Sequence, residues 1–177
     1  MLHATRLQRS KGIRSIHCED NYMKTERPIV LSVQSPFHLC GTMDDEELME
    51  RAREATRNSY SPYSKFRVGA AVLTEDDEVI TGCNVENASY GLSMCAERTA
   101  LFKAVSEGRK RGDFRKLAIA GKPHHGTWQF CSPCGACRQV IYEFTEKGQQ
   151  FRIIYLDLKG KTTSAHIDDL LPDGFRF

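Results

Sequence analysis

No apolar run in the sequence approaches the roughly 20 residues needed to cross a bilayer. The first residues also lack the unbroken apolar core and small-residue cleavage site of a secretory leader. These absences predict a soluble, non-secreted protein with no membrane partner. Charge of one sign is scarce as well. Residues 1–41 hold six Lys or Arg against three Asp or Glu, whereas the remainder holds nineteen against twenty. A body with a net charge of −1 gives little electrostatic hold on a phosphate backbone, which argues against a polynucleotide partner. An even cysteine count is missing too. Seven thiols without a leader point away from a disulfide framework and towards core residues, metal ligands or redox groups. What is present is ordinary globular usage: 177 residues, 40% hydrophobic and 27% charged, enough for one domain with a real core.

The chain divides near residue 42. Residues 1–41 show no sustained helical or strand period, and Pro28, Pro36 and Gly41 make them a poor helix. Arg6, Arg9, Lys11 and Arg14 precede the first acid, Glu19, a pattern compatible with mitochondrial targeting. The plainer expectation is a disordered or loosely docked extension, or an upstream start, on a cytoplasmic protein. Residues 42–177 form the expected domain. A helix is predicted from Thr42, with Asp44, Asp45 and Glu46 suiting its positive end and Leu48, Met49, Ala52 and Ala55 on one face. Residues 68–73 and 79–85 read as a hairpin, and 117–120 as a short central strand. Helices are expected from about Cys95 to Ser106 and from about Cys134. Strands at 151–156 and 162–167 precede a last helical turn at 168–171. Two strands followed by alternating helix and strand predict an α/β fold, a mixed sheet with helices on its faces.

Two helix starts carry chemistry. Cys95-Ala96-Glu97 opens one, and Pro133-Cys134-Gly135-Ala136-Cys137 opens the other. A lone C-x-x-C is ambiguous between zinc and redox roles. Paired with C-x-E at a second helix start, it predicts three sulfur ligands and a fourth tetrahedral position left for water, as in catalytic zinc sites. Three thiolates leave Zn²⁺ at about −1 formal charge. Helix N-termini and Arg98 can offset that charge by donating to the sulfurs. Gly135 is expected to permit close backbone approach. Glu97 is placed over the same pocket without sharing its ligand's direction, where it can move protons between water and a substrate nitrogen.

Cys95-Ala96-Glu97-Arg98 together with Ser132-Pro133-Cys134-Gly135-Ala136-Cys137-Arg138-Gln139 resembles the cytidine deaminase family, specifically its small homotetrameric branch. The likeness extends through residues 66–71, 84–90 and 170–172 and covers about residues 43–177. It implies a three-layer α/β/α sandwich, a zinc cofactor, a homotetramer, and hydrolysis of cytidine and deoxycytidine to uridine and deoxyuridine in pyrimidine salvage. It further implies that Asn84 and Glu86 bind the ribose, that Phe66 packs on the cytosine face, that Asn87 takes part in substrate binding, and that Tyr90 and Tyr63 border the pocket. Backbone groups at Ala96 and Ser132 would face the base, and Phe175 would close a neighbouring subunit's pocket. A carboxylate at Glu86 accepts from a sugar hydroxyl but repels a phosphate, so a nucleoside is expected over its nucleotide.

Three other readings compete. A deaminase of modified cytosine nucleosides would share the fold and the zinc site. A structural zinc module would need a fourth protein ligand, such as Cys131 or His125, and would leave Glu97 without a role. Polynucleotide editing lacks a basic, aromatic track to support it. Cys83, which alternates within a strand, reads as a core thiol.

Overall fold

The computed structural model describes residues 43–146 and 148–177. The N-terminal extension, its targeting reading and the helix start expected at Thr42 lie outside the described residues. Helix α1 spans Asp45–Ala55, and its cap is Asp44, whose side chain accepts from the amide of Glu47. Strands β1 (Phe66–Thr74) and β2 (Val79–Cys83) follow as an antiparallel hairpin. After helix α2 (Ala96–Ser106) come β3 (Phe114–Pro123), α3 (Gly135–Phe144), β4 (Arg152–Leu156), β5 (Thr162–His166) and the short α4 (Ile167–Leu170).

The strands lie in the order β2-β1-β3-β4-β5. The β3–β4 pair is parallel and the others are antiparallel, so the sheet is mixed, as expected. Strand β3 is much longer than its apolar centre, because it pairs along β1 from Pro123 opposite Phe66 to Phe114 opposite Thr74. Lys116 extends it at little cost: its ammonium donates to the Met43 carbonyl and to Asp45. A charge that reads as a strand boundary is thus satisfied by α1.

Alternation along the strands separates two cores. Ala71, Leu73, Ala118, Ala120 and Ile154 face Leu48, Met49 and Ala52 of α1. Their neighbours Val72, Leu117, Ile119 and Ile153 face Leu101 and Ala104 of α2 and Ile141 of α3. The result is a three-layer α/β/α arrangement. Each large aliphatic or thioether side chain fully buried here contributes about 1.5–3 kcal/mol of transfer free energy. Gly82 fixes how closely α2 approaches the sheet, since a Cβ there would lie 2.4 Å from the amide nitrogen of Ala100. That contact sets the depth of the helix that begins just after Cys95.

Candidate active site

Helices α2 and α3 start beside each other, and each start is a cysteine. Cys95 caps α2 and Cys134 caps α3, both in extended conformation and neither with a side-chain capping bond. The first-turn amides of both helices are therefore left to favour negative sulfur. Cys137, one turn into α3, is fully buried. The sulfurs of Cys95 and Cys134 lie 3.9 Å apart, those of Cys134 and Cys137 lie 3.5 Å apart, and all three fall within 4.8 Å of one another. Zinc–sulfur bonds of ~2.3 Å about a tetrahedral centre place sulfurs ~3.8 Å apart, so the cluster fits that ion with little adjustment.

Arg98 Nη2 donates to Cys95 Sγ at 3.4 Å, as the charge argument anticipates. The Cys95 thiol is pushed down to about 5, first by the hydrogen bond from Cys137 and then, against the opposing effect of burial, by Arg98. The Cys137 thiol is driven up by its hydrogen bond to Cys95 and by burial. Cys131 lies outside the three-sulfur group, and burial raises it to about 12, with the charges of Glu97 and Cys95 adding to the effect. Cys131 is half-buried and lines the cavity wall. Gly135 meets nothing within 4 Å of a Cβ, so close approach does not explain it. Gly121 is the close-packed glycine here: a Cβ there would lie 2.7 Å from the Phe66 ring and 2.9 Å from Cys131 Sγ.

A cavity of about 240 Å³ opens over the cluster. Its metal end is walled by Cys95, Ala96, Glu97, Ser132 and Cys134. Glu97 is 4% exposed, and burial first, with the Cys95 charge adding, pushes its carboxyl up to about 7. A carboxyl so placed exchanges a proton near neutral pH. The far end is walled by Val68, Asn84, Glu86, Ser93 and Met94. Asn84 and Glu86 lie just past β2, on an extended segment held by the bridge of Val85 to Met94 and Tyr60. Glu86 Oε2 accepts from the amides of Tyr63 (2.9 Å) and Ser64 (3.2 Å). Burial would raise this carboxyl, but the Ser64 hydroxyl and the two backbone amides hold it below the usual range, and it is ionised at neutral pH.

Five expected residues stand apart from this cavity within the single chain. Phe66 is not among the lining residues of the cavity, and its ring lies beside Gly121, next to the lining residue Cys131. Tyr90 is 77% exposed and shares an adjoining depression with Tyr63 and Glu86. Asn87 is exposed and turns its side chain back to accept from the amide of Ser89. Phe175 packs edge-on against Phe177 in the C-terminal segment, elsewhere on the surface. Val68, Ser93, Met94 and Cys131 line the cavity without having been expected. Val68 was legible, being two residues from Phe66 on one strand face, whereas residues 93–94 carry no periodic signal. Cys83, read as a core thiol, is half-buried and donates to the Asn58 carbonyl.

Residues 42–152 match the family model described as the cytidine and deoxycytidylate deaminase zinc-binding region. The cytidine deaminase of Halalkalibacterium halodurans is 46% identical over 75% of this chain and 95% of its own length. That of Sporosarcina psychrophila is 45% identical over 75% and 92%. A blasticidin-S deaminase of Bacillus cereus is 30% identical over 74% and 91%. Among solved structures, the cytidine deaminase of Burkholderia pseudomallei superposes with a TM-score of 0.66 at 45% identity, covering 75% of this chain and all of that one. The zinc-binding description and the three-sulfur cluster agree on the cofactor, Zn²⁺. Three ligand sulfurs opening two helices, a buried carboxyl beside them and a match across most of the folded body lead to one assignment: the chain belongs to the cytidine and deoxycytidylate deaminase family.

Proposed function

We propose that the protein hydrolyses cytidine and deoxycytidine to uridine and deoxyuridine with release of ammonia, and that it serves pyrimidine salvage in the cytoplasm. The observation that carries this reading is the buried Glu97 carboxyl beside a three-sulfur cluster, in one cavity with Asn84 and Glu86. Cys95, Cys134 and Cys137 hold zinc in this reading. Bound zinc lowers the pKa of water in its open position and so supplies a nucleophile at neutral pH. Glu97 takes a proton from the attacking water and delivers it to N3 of the pyrimidine as the new C–O bond forms at C4. It then takes the remaining proton from the new C4 hydroxyl and passes it to the departing nitrogen as the C4–N bond breaks and C4 becomes a carbonyl, which balances cytidine plus water against uridine plus ammonia. The Ser132 carbonyl receives the exocyclic amine, and the backbone of Ala96 faces the base.

Glu86, ionised and fixed by two backbone amides, accepts a sugar hydroxyl through its remaining oxygen and repels a phosphate. Phe66 packs towards the base, while Asn87 and Tyr90 border the sugar end. In a homotetramer Phe175 closes a neighbour's cavity. Support for assembly comes from the apolar surface a lone copy leaves in water, including Leu92, Phe102 and Phe130. Incubation with cytidine, deoxycytidine, CMP and blasticidin S, followed by ultraviolet absorbance, tests the function. Turnover of the two nucleosides but not of CMP is expected, and turnover of blasticidin S alone would overturn the reading. Sedimentation showing an active monomer would remove the tetramer and the role of Phe175.

A further inference from the structure

Asn84 is held far more tightly than a ligand-binding side chain needs to be. Its Oδ1 accepts from the Val68 amide (2.9 Å) and from the Ser59 hydroxyl, and its Nδ2 donates to the Phe66 carbonyl (3.0 Å). A backbone N–H on one side and a backbone C=O on the other allow only one orientation of the amide. Behind Ser59 the contacts continue. Ser59 Oγ lies 3.1 Å from the hydroxyl of Ser61, and Ser61 Oγ lies 3.0 Å from His124 Nε2. Ser61, at the middle of the chain, is 3% exposed, and Ser59 and His124 are half-buried on either side of it.

The protons along the chain can be ordered from the fixed end. Asn84 Oδ1 only accepts, so Ser59 spends its one hydroxyl proton there. For the 3.1 Å contact to be a hydrogen bond as well, Ser61 must donate to Ser59, which spends its own proton. At the last contact Ser61 has only lone pairs left, so His124 Nε2 must carry a hydrogen. Burial and the charges of Arg67, Lys65 and His125 hold the His124 ring below its ordinary range, against the opposing pull of Glu86. A neutral ring has one N–H, and the chain requires it on Nε2. The backbone of His124 is fixed as well, its amide donating to the Lys65 carbonyl at 2.8 Å.

We propose that Ser59, Ser61 and His124 form a positioning relay that locks the Asn84 amide, so that its remaining N–H points to the sugar as a donor. The inference rests on the reading that Asn84 and Glu86 bind the sugar, and it deepens that reading. With the amide locked as a donor and Glu86 an obligate acceptor, the pair demands a group that both accepts and donates. A 3′-hydroxyl does both, whereas hydrogen at that carbon does neither. The relay is therefore a specificity device as well as a brace.

The test compares deoxycytidine with 2′,3′-dideoxycytidine in the zinc-loaded enzyme. Ser59→Ala is expected to raise KM for deoxycytidine about 3- to 10-fold, the scale of one neutral hydrogen bond, with little change in kcat. The preference for deoxycytidine over the dideoxy compound should narrow by the same factor. Ser59→Thr, which keeps the hydroxyl, should restore both. His124→Leu should act in the same direction, and His124→Gln, which keeps an N–H donor, should reverse it. Nitrogen NMR of the His124 ring should report the Nε2–H tautomer. An Nδ1–H tautomer, or a Ser59→Ala enzyme with undiminished preference, would overturn the relay. If Asn84→Ala narrows the preference while Ser59→Ala does not, the relay alone fails. If neither variant changes it, the sugar reading fails and takes the relay with it.

Discussion

The two ends of the cavity are built in opposite ways. The metal end joins two compact motifs that lie 39 positions apart: two helix caps, one residue a turn further on, and a carboxyl two residues from its neighbouring ligand. The sugar end has no such motif: Asn84 is fixed by Val68, Phe66 and Ser59, single partners scattered sixteen to twenty-five positions away in the chain. A local construction concentrates its function in a few atoms whose loss is catastrophic. A distributed construction spreads its function over many partners, each worth little. The two ends should accordingly differ in how steeply they fail.

The largest effect belongs to the cluster. Cys137→Ala should lose zinc and all measurable turnover, since two sulfurs do not complete a tight site. Metal content by atomic absorption checks this, and a fully loaded, active variant would break the contrast. Glu97→Gln should retain zinc while kcat falls by at least ~10²- to 10⁴-fold, the usual range for a positioned proton-transfer group. Equal metal content with undiminished kcat would remove Glu97 from the chemistry. At the other end, Glu86→Gln should lower kcat/KM by roughly 10- to 100-fold, the scale of a charged hydrogen bond, mainly through KM. A loss confined to kcat would contradict sugar binding.

Legibility in the sequence follows the same divide. The metal end could be read because cap and first-turn positions repeat at fixed spacing, so Cys95, Glu97, Cys134 and Cys137 announce their geometry. Helix α1 and the hairpin were readable through their periods. The limits of β3 were not, because Lys116 is satisfied by Asp45, seventy-one residues away, and no local pattern reports such a partner. Ser59 and Ser61 look like loop residues that end a helix, and their alignment with Asn84 exists only once the segment around Tyr60 bridges Val85. Gly121 and Gly135 show the same limit. The glycine inside the motif meets nothing, while the one in a plain strand is packed against Phe66.

Smaller effects test the scaffold that both ends share. Gly82→Ala should destabilise the fold by about 1–3 kcal/mol, because a Cβ would collide with α2 backbone that cannot yield as a side chain would. A melting temperature equal to that of the parent would contradict the close approach. Asp45→Asn should cost about 1 kcal/mol at neutral pH, Asp45 and Arg152 being partly exposed and the buried Lys116 keeping its bond to the Met43 carbonyl. Burial opposes ionisation of Asp45, yet Lys116 and Arg152 together hold its carboxyl below the ordinary 3.8. Its stabilisation is therefore fully present above that value and is lost as the pH falls through the depressed one. The variant should converge on the parent in strong acid, as chemical denaturation across pH would report.

Zinc-edge X-ray absorption on the loaded protein addresses the cluster most directly. Three sulfurs at ~2.3 Å with one lighter oxygen neighbour are expected. A shell of four sulfurs, with Cys131 drawn in as the last, would mark a closed structural site and contradict catalysis at this metal.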